Sequence, residues 1–317
     1  MIINNQKNHV PKAICLMGPT ASGKTELALK LSKFLPVEII SVDSAMVYRE
    51  MNIGTAKPTY QQLDKVPHHL LNIRDPSEIY SVAEFRKDAI KKMDYITKQG
   101  RLPLLVGGSM LYFKILMEGL SYLPTSHYII RQYIYKQALQ QGWPNLHQQL
   151  YQLDPIAACR INCNDRQRIS RAIEVCLISG KTLTTLNRFK NNNDLEYDII
   201  QFVLYPSCRY KLYHLIEQRF LKMIQEGFEN EVQKLFLRGD LHHNMPSIRC
   251  VGYRQMWSYI EGNINYHEML KQAIYATRHL AKHQLTWLRK WKNTYWLNNE
   301  DLNLASENLL KLFDKKS

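Results

Sequence analysis

The chain has 317 residues and carries 42 Lys plus Arg against 28 Asp plus Glu, a formal charge of +14. An apolar content of 45% with 22% charged residues excludes a disordered chain, and no apolar run approaches the ~18 residues of a membrane span. This sign of charge gathers polyanions, and neither end carries an amphipathic Lys/Arg-and-Trp segment, so nucleic acid is favoured over an acidic membrane surface.

Residues 12–17, KAICLM, are a short apolar run that predicts a buried strand. A glycine loop follows, then ELALKLSKFL, with Leu27, Leu31 and Phe34 or Leu35 at helical spacing. Residues 37–42, VEIISV, are β-branched and bounded by Pro36 and Asp43, which predicts the next strand. Ser81 to Glu84 is a capping box that opens a helix to about Gln99, closed by Gly100. Residues 102–106, LPLLV, predict a third buried strand, which ends in Gly107-Gly108-Ser109 before another helical stretch. Strands alternating with helices imply a parallel sheet with right-handed crossovers.

Between about Leu120 and Asn193 the β-branched runs vanish and helical periodicity takes over. In RQRISRAIEVCLISG, Ile169, Ala172, Ile173 and Cys176 form one stripe while Arg168 and Arg171 face elsewhere. NRFKNNND closes this segment as a polar loop. Strand character returns at residues 199–205, IIQFVLY, and Pro206 with Ser207 marks a helix start. A long helix is expected over about residues 266–291, with a short strand at TYWLN. The expected fold is α/β. A P-loop NTPase-like core with a parallel sheet flanked by helices takes residues 1–119 and 199–317, and an all-helical insertion domain takes residues 120–198. Disorder is expected only over about the first ten residues and the terminal DKKS.

Six cysteines are scattered without a CxxC pair, which argues against a disulfide framework or a structural zinc site. The N-terminus is polar and has no signal-peptide core. A cytoplasmic monomer is expected. His279 and His283 stand four apart, but no HExxH glutamate or third ligand accompanies them, and Cys159 with Cys163 in CRINC reads as ordinary thiols.

Gly18-Pro19-Thr20-Ala21-Ser22-Gly23-Lys24-Thr25 fits G-x-x-x-x-G-K-[ST] at every fixed position, between a strand and a helix as the motif requires. Its glycines let backbone N–H groups point inward at anionic oxygens, and the helix N-terminus adds partial positive charge. Lys24 supplies a full charge, and the Thr25 hydroxyl suits Mg²⁺. The motif does not say what the phosphate is attached to. Taken alone it favours an NTPase or an ATP-dependent small-molecule kinase. Asp43 follows the second strand, at the carboxyl edge where open α/β sheets bind ligands. It is an indirect magnesium ligand, a general base or merely a helix cap.

Further blocks break that tie. They are Asn52-Ile53-Gly54-Thr55-Ala56-Lys57-Pro58, Pro67-His68-His69 with Asp75-Pro76, LVGGSMLY over residues 105–112, SIRCVGYRQ over residues 247–255, and Thr286-Trp287-Leu288-Arg289. With GPTASGKT and VDSA, in this order from about Ala13 to Trp296, the chain closely resembles the tRNA dimethylallyltransferases, also called tRNA isopentenyltransferases. It lacks the C-terminal zinc-finger extension of some eukaryotic members, as expected of the bacterial type.

The resemblance implies transfer of the dimethylallyl group of dimethylallyl diphosphate to the exocyclic amine of an adenine. That adenine lies immediately 3′ of the anticodon, in tRNAs that read codons beginning with U. Mg²⁺ is required and diphosphate leaves. The allylic C–O bond breaks with cation character, so charge grows on diphosphate, and each donor aimed at it is worth ~10²–10³ in rate. Besides the loop and Lys24, the resemblance assigns Arg219 to that task and Asp43 to accepting the amine proton, worth about 10²–10⁴. The target base is pulled from the anticodon stem-loop into a channel.

The tRNA-contacting stretches implied are Asp43, Ser44, Ala45 and Met46; Gln167, Arg168, Ile169, Ser170 and Arg171; Arg249, Cys250, Val251, Gly252, Tyr253 and Arg254; and Lys282, His283, Gln284, Leu285, Thr286, Trp287, Leu288 and Arg289. Ser109 and Arg131 add single contacts. Ser109 stands where the family commonly has Thr; the hydroxyl is kept and only a methyl is lost. A kinase lacks an adenine-clamping lid here and leaves the basic charge without a role. A non-catalytic RNA-binding protein leaves Lys24, Thr25 and Asp43 unexplained.

Overall fold

Short apolar runs make most of the strands at the centre of the fold. In the computed structural model, which describes residues 10–188 and 195–315, these are β1 (Lys12–Met17), β2 (Val37–Val42), β3 (His68–His69), β4 (Leu102–Gly107), β5 (Asp198–Tyr205) and β6 (Tyr295–Asn298). They form one sheet in the order β3-β2-β4-β1-β5-β6, with every pair parallel. The expected disorder of the N-terminus, most of NRFKNNND and the last two residues fall outside the described residues.

The chain divides into two compact units, Met1–Leu116 with Glu196–Ser317, and Met117–Leu195. The first contains the sheet, α1 (Lys24–Leu31), α2 (Tyr60–Leu63), α3 (Val82–Lys98) and most of α4 (Met110–Glu118). The second is helical, with α5 (Tyr128–Leu153), α6 (Pro155–Arg160), α7 (Arg166–Ser179) and α8 (Leu183–Arg188). Back in the first unit come α9 (Arg209–Gln225), α10 (Phe228–Leu237), α11 (Tyr253–Ile260), α12 (Tyr266–Leu288) and α13 (Leu302–Asp314).

The core of the first unit joins Ile14 and Leu16 of β1 to Leu27 and Leu31 of α1, Leu104 of β4, and Phe202 and Leu204 of β5. Each such side chain contributes ~1.5–3 kcal/mol by leaving water. β2 is buried at all six positions, including Glu38. His69 Nε2 lies 2.6 Å from one oxygen of that carboxylate and Arg101 Nη1 donates to the other at 3.1 Å, so the buried charge is matched. α3 opens on the expected capping box, with Glu84 N–H donating to Ser81 Oγ and Ser81 N–H to Glu84 Oε2.

Two helix boundaries and one strand depart from the sequence expectation. α1 stops at Leu31, short of Phe34, because Ser32 Oγ bonds back to Leu29 O and Pro36 disfavours helix at Leu35. α9 starts at Arg209, since Ser207 donates its hydroxyl to Glu300 instead of capping. β3 pairs with β2 through two polar residues that no apolar run announces.

In the second unit Ile134, Leu146, Leu150, Ile169, Ala172 and Ile173 form a separate core. α5 is broken where Gly142 takes φ 81° and ψ 158°, two residues before Pro144. Glu174 is fully buried and accepts from His127 N, Arg131 Nε and Nη2, and Arg171 Nη1.

Candidate active site

Register brings three turns to one edge of the sheet. Met17 of β1 and Val42 of β2 both pair with Gly107 of β4. Gly18, Asp43 and Gly108 therefore leave the sheet side by side, at its carboxyl edge. The approach is close enough to exclude side chains. A Cβ on Gly107 would fall 2.0 Å from Val42 O, and one on Gly18 2.5 Å from Leu204 O.

The 18–25 loop has the backbone its motif requires. Ala21 takes φ 60° and Gly23, the N-cap of α1, takes φ 90°; both are left-handed. Lys24 Nζ donates to Pro19 O at 2.5 Å and to Ser22 Oγ at 3.4 Å. Burial and the nearby Arg219 guanidinium pull its ammonium down to about 7, against the opposing pull of Asp43. Among the described residues, Arg219, on α9, makes one hydrogen bond, a long 3.5 Å bond from Nη2 to Thr55 O, and its burial also disfavours the charge. Neither cation has a carboxylate partner among the described residues.

Asp43 Oδ1 accepts from Ala45 N at 2.8 Å and Met46 N at 3.3 Å. The capping reading thus holds for one oxygen, over a turn rather than a helix. Oδ2 makes no hydrogen bond among the described residues. Ser44 N–H donates to Ser109 Oγ at 3.2 Å, tying this turn to the next. A cavity of about 1710 Å³ runs between these turns and is lined by Lys24, Thr25, Asp43, Ser109, Arg219, Arg249, Cys250, His283 and Trp287. Four of the expected groups, the loop, Asp43, Ser109 and Arg219, thereby meet in one space.

The Thr25 hydroxyl lines this cavity and has no hydrogen-bond partner among the described residues. One protein hydroxyl on this wall fits a Mg²⁺ ion that would keep several waters and draw its other ligands from substrate phosphates.

The stretches expected to touch RNA divide on inspection. Arg249, Arg254, Lys282, His283, Trp287 and Arg289 are exposed, as are Gln167 and Arg168 on α7. Ile169, Tyr253 and Leu288 are fully buried, so their side chains hold these segments in place and present no surface to an RNA. Arg131 and Arg171 are engaged by Glu174. Arg278 on α12 pairs with Glu217 at 2.6 Å, so its charge is matched within the chain.

Three residues organise the site: Gln284, expected among the RNA-contacting residues, Lys57, from the Asn52–Pro58 block, and Glu231, which no sequence pattern marked. Gln284 accepts from Thr20 N at 2.8 Å and donates to Gly108 O at 2.9 Å, clamping two glycine turns with one amide. Glu231 of α10 accepts the N–H groups of Asn52, Ile53 and Gly54 and the Tyr253 hydroxyl. Lys57 Nζ donates to Tyr48 O, Asn52 Oδ1 and Asn72 Oδ1, and burial lowers its ammonium to about 8. Nothing local in the sequence announces these roles for Gln284 or Glu231, since every partner named except Tyr253 stands 176–264 residues away.

A family model described as IPP transferase matches residues 46–291. The chain is similar to the full-length tRNA isopentenylpyrophosphate transferase of Bacillus halodurans, with 34% identity, a TM-score of 0.71 and 96% of each chain covered. It is similar to the tRNA delta(2)-isopentenylpyrophosphate transferase of Staphylococcus epidermidis, with 33% identity, a TM-score of 0.69 and coverage of 97% of this chain and 100% of that one. A eukaryotic dimethylallyltransferase acting on tRNA shares the fold at 23% identity, with a TM-score of 0.79 over 92% of this chain and 75% of that one.

Proposed function

The chain belongs to the IPP transferase family, and on that premise we propose that it transfers the dimethylallyl group of dimethylallyl diphosphate to the exocyclic amine of the adenine immediately 3′ of the anticodon, in tRNAs reading codons that begin with U. The observation that carries this reading is chemical. Among the described residues, two enclosed cations without carboxylate partners and one carboxylate oxygen free of hydrogen bonds share a single cavity. The cations suit a departing diphosphate and the carboxylate suits a nucleophile that must lose a proton.

The loop N–H groups, Lys24 and Arg219 hold the diphosphate and stabilise its growing charge as the allylic C–O bond breaks. The adenine amine attacks the allylic carbon, and Asp43 Oδ2 accepts its proton while Oδ1 stays fixed by Ala45 and Met46. The Thr25 hydroxyl would hold Mg²⁺, which would supply further positive charge to the diphosphate. Arg249, at the cavity, and the exposed Arg254, Lys282 and Arg289 engage the RNA backbone. The same reading makes the enzyme a cytoplasmic monomer. An ATP-dependent kinase is not favoured.

Asp43→Asn tests the assignment, because the amide keeps an acceptor for the turn and loses the base. Turnover at saturating tRNA and donor should fall about 10²–10⁴-fold, with tRNA affinity within a few-fold of wild type. Near-full turnover by this variant contradicts the general-base role.

A further inference from the structure

One face of α12 carries a row that the chemistry above leaves unused. At steps of four residues stand Tyr275, His279, His283 and Trp287. Side chains at that spacing lie one above another, about 6 Å apart along the axis, on a row that winds slowly round the helix. Tyr275 is 71% exposed and Trp287 39%, and both histidines are exposed. The Tyr275 and His279 rings stack at 6.3 Å and 18°, and His279 meets His283 edge-on at 4.4 Å. None of the four side chains makes a hydrogen bond among the described residues. His283 and Trp287 line the cavity, and Lys114 lies over the Trp287 ring at 6.0 Å. The row therefore runs from the cavity outward along the helix.

An exposed aromatic row is costly to keep in water unless something covers it. Its surroundings select the occupant. The chain carries a net +14, Lys282 lies exposed between the two histidines, and positions 275, 279, 283 and 287 include no acid. Flat rings beside cations, continuous with a cavity that takes one base, are what an unpaired nucleic-acid strand stacks on. Resting on the tRNA-modifying reading above, we propose that Tyr275 and His279 extend the RNA site beyond the cavity. They form, with His283 and Trp287, a stacking ladder for the loop nucleotides that flank the reacting adenine.

Titrating the full-length chain with an unmodified anticodon stem-loop, by fluorescence anisotropy and by steady-state prenylation, tests this. The double variant Tyr275→Ala with His279→Ala should raise the stem-loop Kd and KM at least tenfold, the effect of ~1.4 kcal/mol of lost stacking. Its kcat at saturating RNA and its KM for dimethylallyl diphosphate should stay within twofold, and the salt dependence of binding should keep the wild-type slope, because no phosphate contact is lost. Tyr275→Phe with His279→Phe should restore affinity. An Ala pair that binds as tightly as wild type, a Phe pair as weak as the Ala pair, or a reduced salt slope overturns the ladder. A wild-type chain that binds the stem-loop but never prenylates it would instead contradict the proposed reaction and leave the ladder standing.

Discussion

Gln284→Leu removes the amide that clamps the two glycine turns while keeping the side chain's bulk. The wild-type residue is 9% exposed, and its amide satisfies Thr20 N–H at 2.8 Å and Gly108 O at 2.9 Å. Losing a buried partner costs ~1–3 kcal/mol per group. Both orphaned groups lie at the cavity wall, where solvent replaces part of the bond, so the low end applies to each and the sum is about 2 kcal/mol. The denaturant midpoint should fall accordingly at constant m. Catalysis should suffer more, since Thr20 belongs to the loop that holds diphosphate and a displacement of ~1 Å costs up to ~10² in rate. Gln284→Glu sharpens the test. It keeps an acceptor for Thr20 but sets a second acceptor against Gly108 O, so it should be at least as damaging as Leu. A Leu variant within about 0.5 kcal/mol of wild type, with unchanged kcat/KM for the prenyl donor, would refute the clamp.

Two further predictions concern charge. With its free-state ammonium lowered to about 7, Lys24 is mostly neutral above that pH, yet diphosphate favours the protonated form. Donor KM should therefore climb above about pH 7, and calorimetry in two buffers of different ionisation enthalpy should show proton uptake on binding; a KM flat to pH 9 excludes this role. In the free protein the sign reverses. The unfolded chain keeps the proton to about 10.4, so the stability of the free protein should rise with pH from about 7 towards 10, with Lys57 adding in the same direction from about 8. Glu174→Gln should destabilise the full chain by about 3 kcal/mol, the low end for breaking a buried pair, because Arg131 is 44% exposed and can return to water. The paired arginines hold the Glu174 carboxyl below its usual range, so its stabilisation is present above about pH 4.3 and is lost as pH falls through the folded value. A melting temperature unmoved by the substitution at pH 7 contradicts this.

The parts of the fold that could be read from sequence were those written locally. β1, β2 and β4 are apolar runs bounded by Gly, Pro or Asp, and α3 has both ends marked by its capping box and Gly100. The P-loop was legible because a mobile phosphate group demands fixed glycines at fixed spacing. β3 was not, since it is two polar residues, and the contact of His69 with the buried Glu38 spans 31 residues. Arg219 has no local mark either. It stands in IEQRF among ordinary helical residues, and only the packing of α9 beside the cavity distinguishes it from a solvated charge. Spacing along the chain also cannot tell which residues in a basic segment face outward. Tyr253 and Arg254 are neighbours, yet one is fully buried on Glu231 and the other is exposed.

The central claim is that the P-loop here holds a leaving diphosphate rather than a nucleotide. The purified chain, given Mg²⁺ and unmodified tRNA, should be offered prenyl-labelled dimethylallyl diphosphate in one reaction and γ-labelled ATP in another. Label passing from the prenyl donor into tRNA, with ATP left intact, is the result predicted. Label passing only from ATP, with the prenyl donor inert, would return the loop to phosphoryl transfer and contradict the account.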